Sequence, residues 1–397
     1  MSSATENTAA LLAPTTDFYN VFDDVTGPDL EAWQRAASFA EDCLPVINEA
    51  WEKGEYPMDL VKRIGELDLM TDGLEVEGHQ KLSTLAAGLV TMEMARIDGS
   101  MATVIAVQAG LAMRSIAYCG SEEQKAKYLE PMARGEILGA FALTEPDHGS
   151  DSIALETSAR REGDEWVING AKRWIGNGSC GDISIVWART EDGEVSGFIV
   201  PQDTPGYNAE TITGKVALRS IHQALIKLED VRVPLDAQLP GARSFRDTAR
   251  VLTATRTSVA WMALGHAIAC YEAAREHALT RVQFGRPLAA CQIIQQRLAD
   301  MLGDITEIAV LIRHLTERDI RGEMRPEQAS MAKVRATRMA RRVAADARDM
   351  LGGSGILLEN HVVRHMADVE AIHTYEGTDT MQSLIIGKKI TGMSAYR

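Results

Sequence analysis

Apolar residues change their spacing twice along the chain, and the changes divide it into three parts. From residue 29 to about 134 they recur at intervals of three and four, as in Leu60, Val61, Ile64 and Leu67 and again through 82–97. That period turns one face of a helix toward a core. Ser121-Glu122-Glu123-Gln124 has the form of a capping box, the serine accepting from a free N–H while Gln124 reaches back, so a helix to Met132 is predicted. After Gly139 short alternating runs take over. Gly163-Asp164 separates one of them from Glu165-Trp166-Val167-Ile168, a hairpin arrangement, and 183–187, 197–200 and 224–228 read as further strands. From Ser244 onward long helices return, over 245–281, 292–321 and 326–351. Their apolar positions exceed one buried stripe, so some faces are expected to meet another subunit.

The pattern predicts a mainly α fold with a central β domain. A disordered segment 1–20 precedes a helical domain 21–138, a β domain 139–240 and a helical bundle 241–397. A chain of 397 residues is long enough for such a division. A net charge of -15 argues against a general nucleic-acid or anionic-membrane binder, though not against an anionic small ligand met by local arginines. The longest apolar run, 101–113, contains Gln108 and is closed by Arg114, short of a membrane span. Neither the small polar start nor the Ala395-Tyr396-Arg397 end resembles a targeting signal. The five cysteines are scattered without metal-ligand spacing, which fits a reduced cytoplasmic protein with no metal centre.

Five segments combine residues suited to chemistry. In Thr374-Tyr375-Glu376-Gly377-Thr378 a carboxylate sits between an aromatic ring and a glycine. That setting suits a base that takes a proton beside a carbonyl, and a solvated helix end is the plainer account. The turn in the 141–150 segment, with Pro146 and Gly149, exposes N–H groups and the Thr144 and Ser150 hydroxyls for a polar ring or a phosphate. Trp174 in Lys172-Arg173-Trp174-Ile175-Gly176 suits a planar cofactor or a core. Arg281-Val282-Gln283-Phe284-Gly285 offers a guanidinium for a pyrophosphate and a ring for an adenine, or simply a helix stop. The glycines of Leu351-Gly352-Gly353-Ser354-Gly355 allow close approach of a phosphate, but the spacing is not that of a dinucleotide fingerprint.

Together, Ala142-Leu143-Thr144-Glu145-Pro146, Arg281–Gly285, Asp349-Met350-Leu351-Gly352-Gly353 and Tyr375-Glu376-Gly377-Thr378 resemble the acyl-CoA dehydrogenase family. The likeness runs from about residue 20 to the end and is greatest to the glutaryl-CoA dehydrogenase and plant short-chain acyl-CoA oxidase branch. It implies a middle β-barrel-like domain, a C-terminal four-helix bundle, a homotetramer and bound FAD. By the same resemblance Glu376 takes the α-proton of an acyl-CoA while flavin N5 receives the β-hydride. Phe141, Leu143, Thr144 and Ser150 would hold the flavin's pyrimidine edge, with Trp174, Ile175 and Gly176 beside the ring. Arg281, Gln283, Phe284 and Gln292, with Asp349, Gly352 and Gly353, would reach the FAD of a neighbouring subunit. Thr378 and Thr380 match positions near the pyrophosphate. Thr253 and Arg256 match the CoA-contacting turn, Ser150 touches both ligands, and Ala102, Tyr375 and Gly377 would line the substrate site. An electron-transfer flavoprotein is the acceptor that the family implies.

Two positions depart from the family's pattern. Glutaryl-CoA dehydrogenases pair an arginine with the substrate's distal carboxylate, and the aligned residue here is Ala102. Burying that carboxylate without a cation would cost several kcal/mol, so a saturated short-chain acyl-CoA is expected rather than glutaryl-CoA. Gly176 stands where most dehydrogenases carry a hydroxyl near flavin N5, as in the plant oxidases. It is expected to open space beside the reactive edge, which keeps oxygen as an alternative acceptor. Thr255 occupies the place of the base in the isovaleryl- and long-chain enzymes and cannot act as one, leaving Glu376.

Overall fold

The computed structural model describes residues 11–395 and follows the helix–sheet–helix order. Five N-terminal helices and a π-helical stretch come first: α1 (Gly27–Lys53), α2 (Met58–Glu66), α3 (Thr84–Ile97), α4 (Gly99–Ile105), the π stretch Ala106–Met113 and α5 (Arg114–Cys119). Helix α6 (Glu122–Ala133) opens on the expected capping box, with the Ser121 hydroxyl accepting from the Gln124 N–H and the Gln124 side chain accepting from the Ser121 N–H. From Gly99 to Cys119 the chain is long and apolar enough to cross a membrane by length and composition, contrary to the reading of 101–113. Its most apolar window is 72% buried inside the protein, which makes it a core helix.

Strands β1 (Gly139–Ala142), β2 (Ser158–Glu162), β3 (Glu165–Gly176), β4 (Ile183–Arg189), β5 (Val195–Pro201), β6 (Tyr207–Thr211) and β7 (Gln223–Pro234) form one mixed sheet in the order β1-β4-β2-β3-β7-β6, with β5 also on β4. Because β4 serves β1 and β2 in parallel and β5 antiparallel, the sheet curls. The β2–β3 hairpin turns at Gly163, whose φ of 63° favours glycine. Strand β3 runs well past the expected Ile168, and Trp174 sits in it at a register shift, with φ 64°.

The third part consists of α7 (Phe245–Thr280), α8 (Gln292–Ile320), α9 (Pro326–Met350), α10 (Val362–Thr374) and α11 (Asp379–Thr391). Helix α7 is buried through its middle because both α3 and α9 lie along it, so the first and third parts share one core.

Residues 11–20 correct the expectation of disorder; residues 1–10 lie outside the described residues. Leu12 is buried, the Tyr271 hydroxyl donates to the Thr15 carbonyl at 2.8 Å, and Arg96 donates to the Leu11 carbonyl at 3.0 Å. Backbone acceptors, the Thr16 hydroxyl on Glu272 and one apolar anchor tie down a segment too short to show a hydrophobic period.

Candidate active site

Helix α10 ends where the Tyr375 N–H donates to the Ala371 carbonyl at 2.9 Å, and α11 starts at Thr378, whose hydroxyl accepts from the Met381 N–H at 3.2 Å. So short a link forces Glu376 to φ 54° and Gly377 to φ 83°. For a non-glycine residue that conformation costs about 1–3 kcal/mol and persists only where its surroundings impose it. Gly377 has a second constraint, since a Cβ there would lie 2.3 Å from Gln382 Nε2.

The Glu376 carboxylate accepts from the Thr255 hydroxyl of α7 at 3.0 Å. Desolvation raises its pKa, against the Thr255 hydrogen bond and the charges of Arg256 and Lys333. Beside it the Tyr375 hydroxyl faces Met262 Sδ at 3.5 Å, and burial pushes that phenol upward. The π stretch forms a wall behind Thr255: a Cβ on Gly110 would lie 3.4 Å from both Thr255 Cγ2 and the Asp72 carboxylate. The structure thus brings a hydroxyl and a half-buried carboxyl of raised pKa to one place. Such a carboxyl is suited to act as a proton acceptor.

Gly176 reaches the same wall, and here the expectation fails. A Cβ at 176 would lie 2.8 Å from Val107 Cγ2, so a branched residue of the π stretch fills the space that the missing hydroxyl was expected to open. Ala102 is buried on α4, a helix whose sequence Gly99–Ile105 contains no basic residue.

The 141–150 segment is fixed by an ion pair. Glu145 meets Lys172 of β3 at 2.9 Å, with side chains 5% and 0% exposed. The carboxylate also accepts from the Glu156 and Thr157 N–H groups, and Lys172 donates to the Leu143 carbonyl at 3.0 Å. Phe141 and Leu143 are buried, Thr144 is half-buried and Ser150 is exposed. Trp174 is 54% exposed, with the Arg173 guanidinium 5.2 Å from its ring centre, while Ile175 is buried. Arg173 donates its N–H to the Thr144 carbonyl at 2.8 Å, which ties the two segments together.

Other expected residues lie apart from Glu376. Arg281, Gln283 and Phe284 occupy an exposed hairpin, and Phe284 at 102% exposure touches little of its own chain. Gln292, Gly352 and Gly353 are exposed, and Asp349 pairs with Arg297 at 2.5 Å. Among the described residues, none of these makes a hydrogen bond or ion pair with the Glu376 turn. Thr380 is exposed in the first turn of α11. Thr253 and Arg256 are half-buried on α7 beside Thr255, and the Thr253 hydroxyl donates back to the Ala249 carbonyl.

Sequence reasoning missed Lys172, Lys333, Gln382 and Val107. A signal existed for Lys172, because Glu145 and Lys172 are opposite charges within two of the quoted segments.

Family models for the acyl-CoA dehydrogenase N-terminal, middle and C-terminal domains match residues 29–136, 140–231 and 245–391. The fold is similar to a crystal structure of glutaryl-CoA dehydrogenase from Mycobacterium smegmatis, with TM-score 0.93, 40% identity and coverage of 96% of this chain and 99% of that one. A second glutaryl-CoA dehydrogenase structure from that organism, in complex with FADH2, gives TM-score 0.94 at 35% identity, covering 96% and 99%. The human mitochondrial short-chain specific acyl-CoA dehydrogenase is 33% identical over 374 residues, 92% of this chain and 90% of its own. With the three domain models in order and relatives of this similarity over most of its length, the chain belongs to the acyl-CoA dehydrogenase family.

Proposed function

We propose that this chain oxidises a saturated short-chain acyl-CoA to the trans-2-enoyl-CoA, with FAD as cofactor and Glu376 as the α-proton base. The setting of Glu376 carries the reading: a left-handed turn, a raised carboxyl pKa and a Thr255 hydrogen bond at 3.0 Å. The residues present fit a flavin dinucleotide. Trp174 offers an indole face, Thr144 and Ser150 offer hydroxyls, and Arg281 and Phe284 offer a guanidinium and a free ring. Bound there, FAD supplies the acceptor for the β-hydride.

The chain's own part begins with orientation. Thr255 holds the carboxylate on the α7 side, and its desolvation strengthens its basicity toward a carbon acid. On the family's pattern the Glu376 N–H would donate to the carbonyl of a thioester whose α-carbon meets the carboxylate, stabilising charge as it develops. Proton transfer then leaves Glu376 neutral, the state that its desolvated site favours.

Ala102 supports a substrate without a distal carboxylate, because α4 offers no cation to receive one. Val107 beside Gly176 supports an electron-transfer flavoprotein as acceptor over oxygen, since the extra space is filled. Exposed Phe284, Ile293, Ile356 and Leu357 support a homotetramer in which neighbouring subunits cover these faces. A panel of acyl-CoA thioesters, assayed in parallel for peroxide and for reduction of an artificial acceptor, tests the reading. Butyryl-range substrates should reduce the acceptor with little peroxide. Efficient glutaryl-CoA turnover would refute the substrate assignment, and stoichiometric peroxide would refute the acceptor.

A further inference from the structure

We propose that Lys333 is a positioning residue for the base: its ammonium holds the peptide planes of the 373–377 turn so that the Glu376 amide and carboxylate face the substrate. The inference rests on Glu376 being the base. Lys333 lies on α9 with no exposed surface. Its Nζ donates to the carbonyl oxygens of His373 at 3.1 Å, Tyr375 at 2.7 Å and Gly377 at 2.6 Å. All three ammonium protons are therefore spent on one turn. From α11, Gln382 Nε2 donates to the Glu376 carbonyl between them at 2.7 Å.

These bonds fix more than the carbonyls. No peptide among the described residues is cis, and a planar trans peptide points its N–H away from its C=O. With the Tyr375, Glu376 and Gly377 carbonyls turned toward Lys333 and Gln382, the N–H groups of Glu376, Gly377 and Thr378 face away from them. The plainer account is that Lys333 caps the end of α10. That account covers His373 alone, because Tyr375 and Gly377 lie beyond the last helical residue, Thr374. A buried ammonium is costly to keep, and an apolar residue would fill the place without that cost. What the apolar residue lacks is the power to orient three carbonyls.

Lys333 also acts by charge. Burial lowers its own pKa to about 8, against the raising effect of Glu376 and Asp379, while Arg256 lowers it further. Toward Glu376 the field comes from Arg256 on α7 and Lys333 on α9, with the Thr255 hydroxyl in contact. Loss of either cation raises the carboxyl's pKa.

The test uses the FAD-loaded protein with Lys333→Met, Gln382→Met and Glu376→Gln. Anaerobic flavin bleaching by butyryl-CoA reads proton and hydride removal. The long-wavelength band formed with 3-thiabutanoyl-CoA, which loses an α-proton but has no β-hydride to give, reads enolate stabilisation across pH. Lys333→Met should keep FAD and bind substrate nearly as before while bleaching slows about a hundredfold, the scale of a reacting group misplaced by an ångström. Its 3-thiabutanoyl band should half-titrate at higher pH. Gln382→Met should slow bleaching about tenfold, as for one lost hydrogen bond, with no comparable shift. Wild-type bleaching and an unmoved band in Lys333→Met would overturn the proposal. Where Lys333→Met does not hold FAD, wild-type bleaching in Gln382→Met overturns it instead. Undiminished bleaching in Glu376→Gln would remove the base assignment itself, a result distinct from either.

Discussion

Replacing Lys172 by methionine isolates the ion pair beneath the 141–150 segment. The substitution keeps length and approximate volume but removes the cation that faces Glu145 at 2.9 Å in a site where neither side chain is more than 5% exposed. Breaking a buried pair from one side costs about 3–5 kcal/mol, chiefly because the other charge is left behind. Glu145 is not left bare, since the Glu156 N–H at 2.7 Å and the Thr157 N–H at 2.9 Å still reach it. The loss therefore belongs near the lower end, about 3 kcal/mol, or about 6–12 °C in melting temperature for a cooperative unit of intermediate size. Glu145→Gln should cost a similar amount by stranding an ammonium whose other acceptor is the Leu143 carbonyl at 3.0 Å. The double variant should lose less than the two single losses together. Thermal unfolding followed by circular dichroism checks all three. Additive losses, or a fall of under about 2 °C in Lys172→Met, would refute the reasoning.

The same pair gives a signed pH dependence. Desolvation alone would raise the Glu145 carboxyl, but the Lys172 charge and the hydrogen bonds outweigh it and take it from the ordinary 4.5 to about 2. A depressed carboxyl contributes stability that is complete above the unfolded value and is lost as pH falls through the folded one. The stability gap between wild type and Lys172→Met should therefore close as pH drops from 4.5 toward about 2 and stay constant from about 5 to 7, below the range in which Lys172, lowered by burial to about 8, titrates.

Gly176→Thr would place a Cβ 2.8 Å from Val107 Cγ2, an overpacked contact worth about 1–3 kcal/mol. Val107→Ala in the same chain should recover most of the loss in melting temperature, and no recovery would mean that the strain lies elsewhere. Gly377→Ala meets both a φ of 83° and Gln382 Nε2 at 2.3 Å, so it should cost about 1–3 kcal/mol and slow flavin bleaching while FAD stays bound. Wild-type bleaching would show that the Gln382 contact does not orient the base.

What could be read from the sequence is what depends on local period and local caps. The Ser121–Gln124 capping box, the Gly163 turn and the long C-terminal helices are fixed within a few residues of chain, and the structure forms each of them. The far half of β3 was less legible. Asn169 to Arg173 lacks alternation, because Lys172 points inward to a carboxylate 27 residues earlier. Residues 11–20 dock largely through their own carbonyls, and every residue type has a carbonyl. Val107 and Gly176 touch only through tertiary structure, so the glycine alone suggested an opening that the valine closes.

Lys333 shows the limit most clearly. On α9 it belongs to a strongly basic run, Lys333-Val334-Arg335-Ala336-Thr337-Arg338, in which a lysine reads as part of a solvated face. Its acceptors are backbone oxygens forty residues and more further along. The comparison with Lys172 then separates structure from chemistry. Each buried lysine supports one loop of the candidate site, but Lys172 is balanced by Glu145, whose depressed pKa keeps it charged near neutral pH. Lys333 has as its largest anionic influence Glu376 itself, the group proposed to gain a proton. Proton transfer would therefore leave Lys172 in an unchanged field and remove the main counter-charge of Lys333. Asp379 remains as a second counter-charge, and negative charge developing on the thioester oxygen near the same turn would offset the rest, which couples the cation to the proposed reaction. Mutating Lys172 should accordingly change stability and FAD retention with little effect on the pH profile, whereas mutating Lys333 should move the profile.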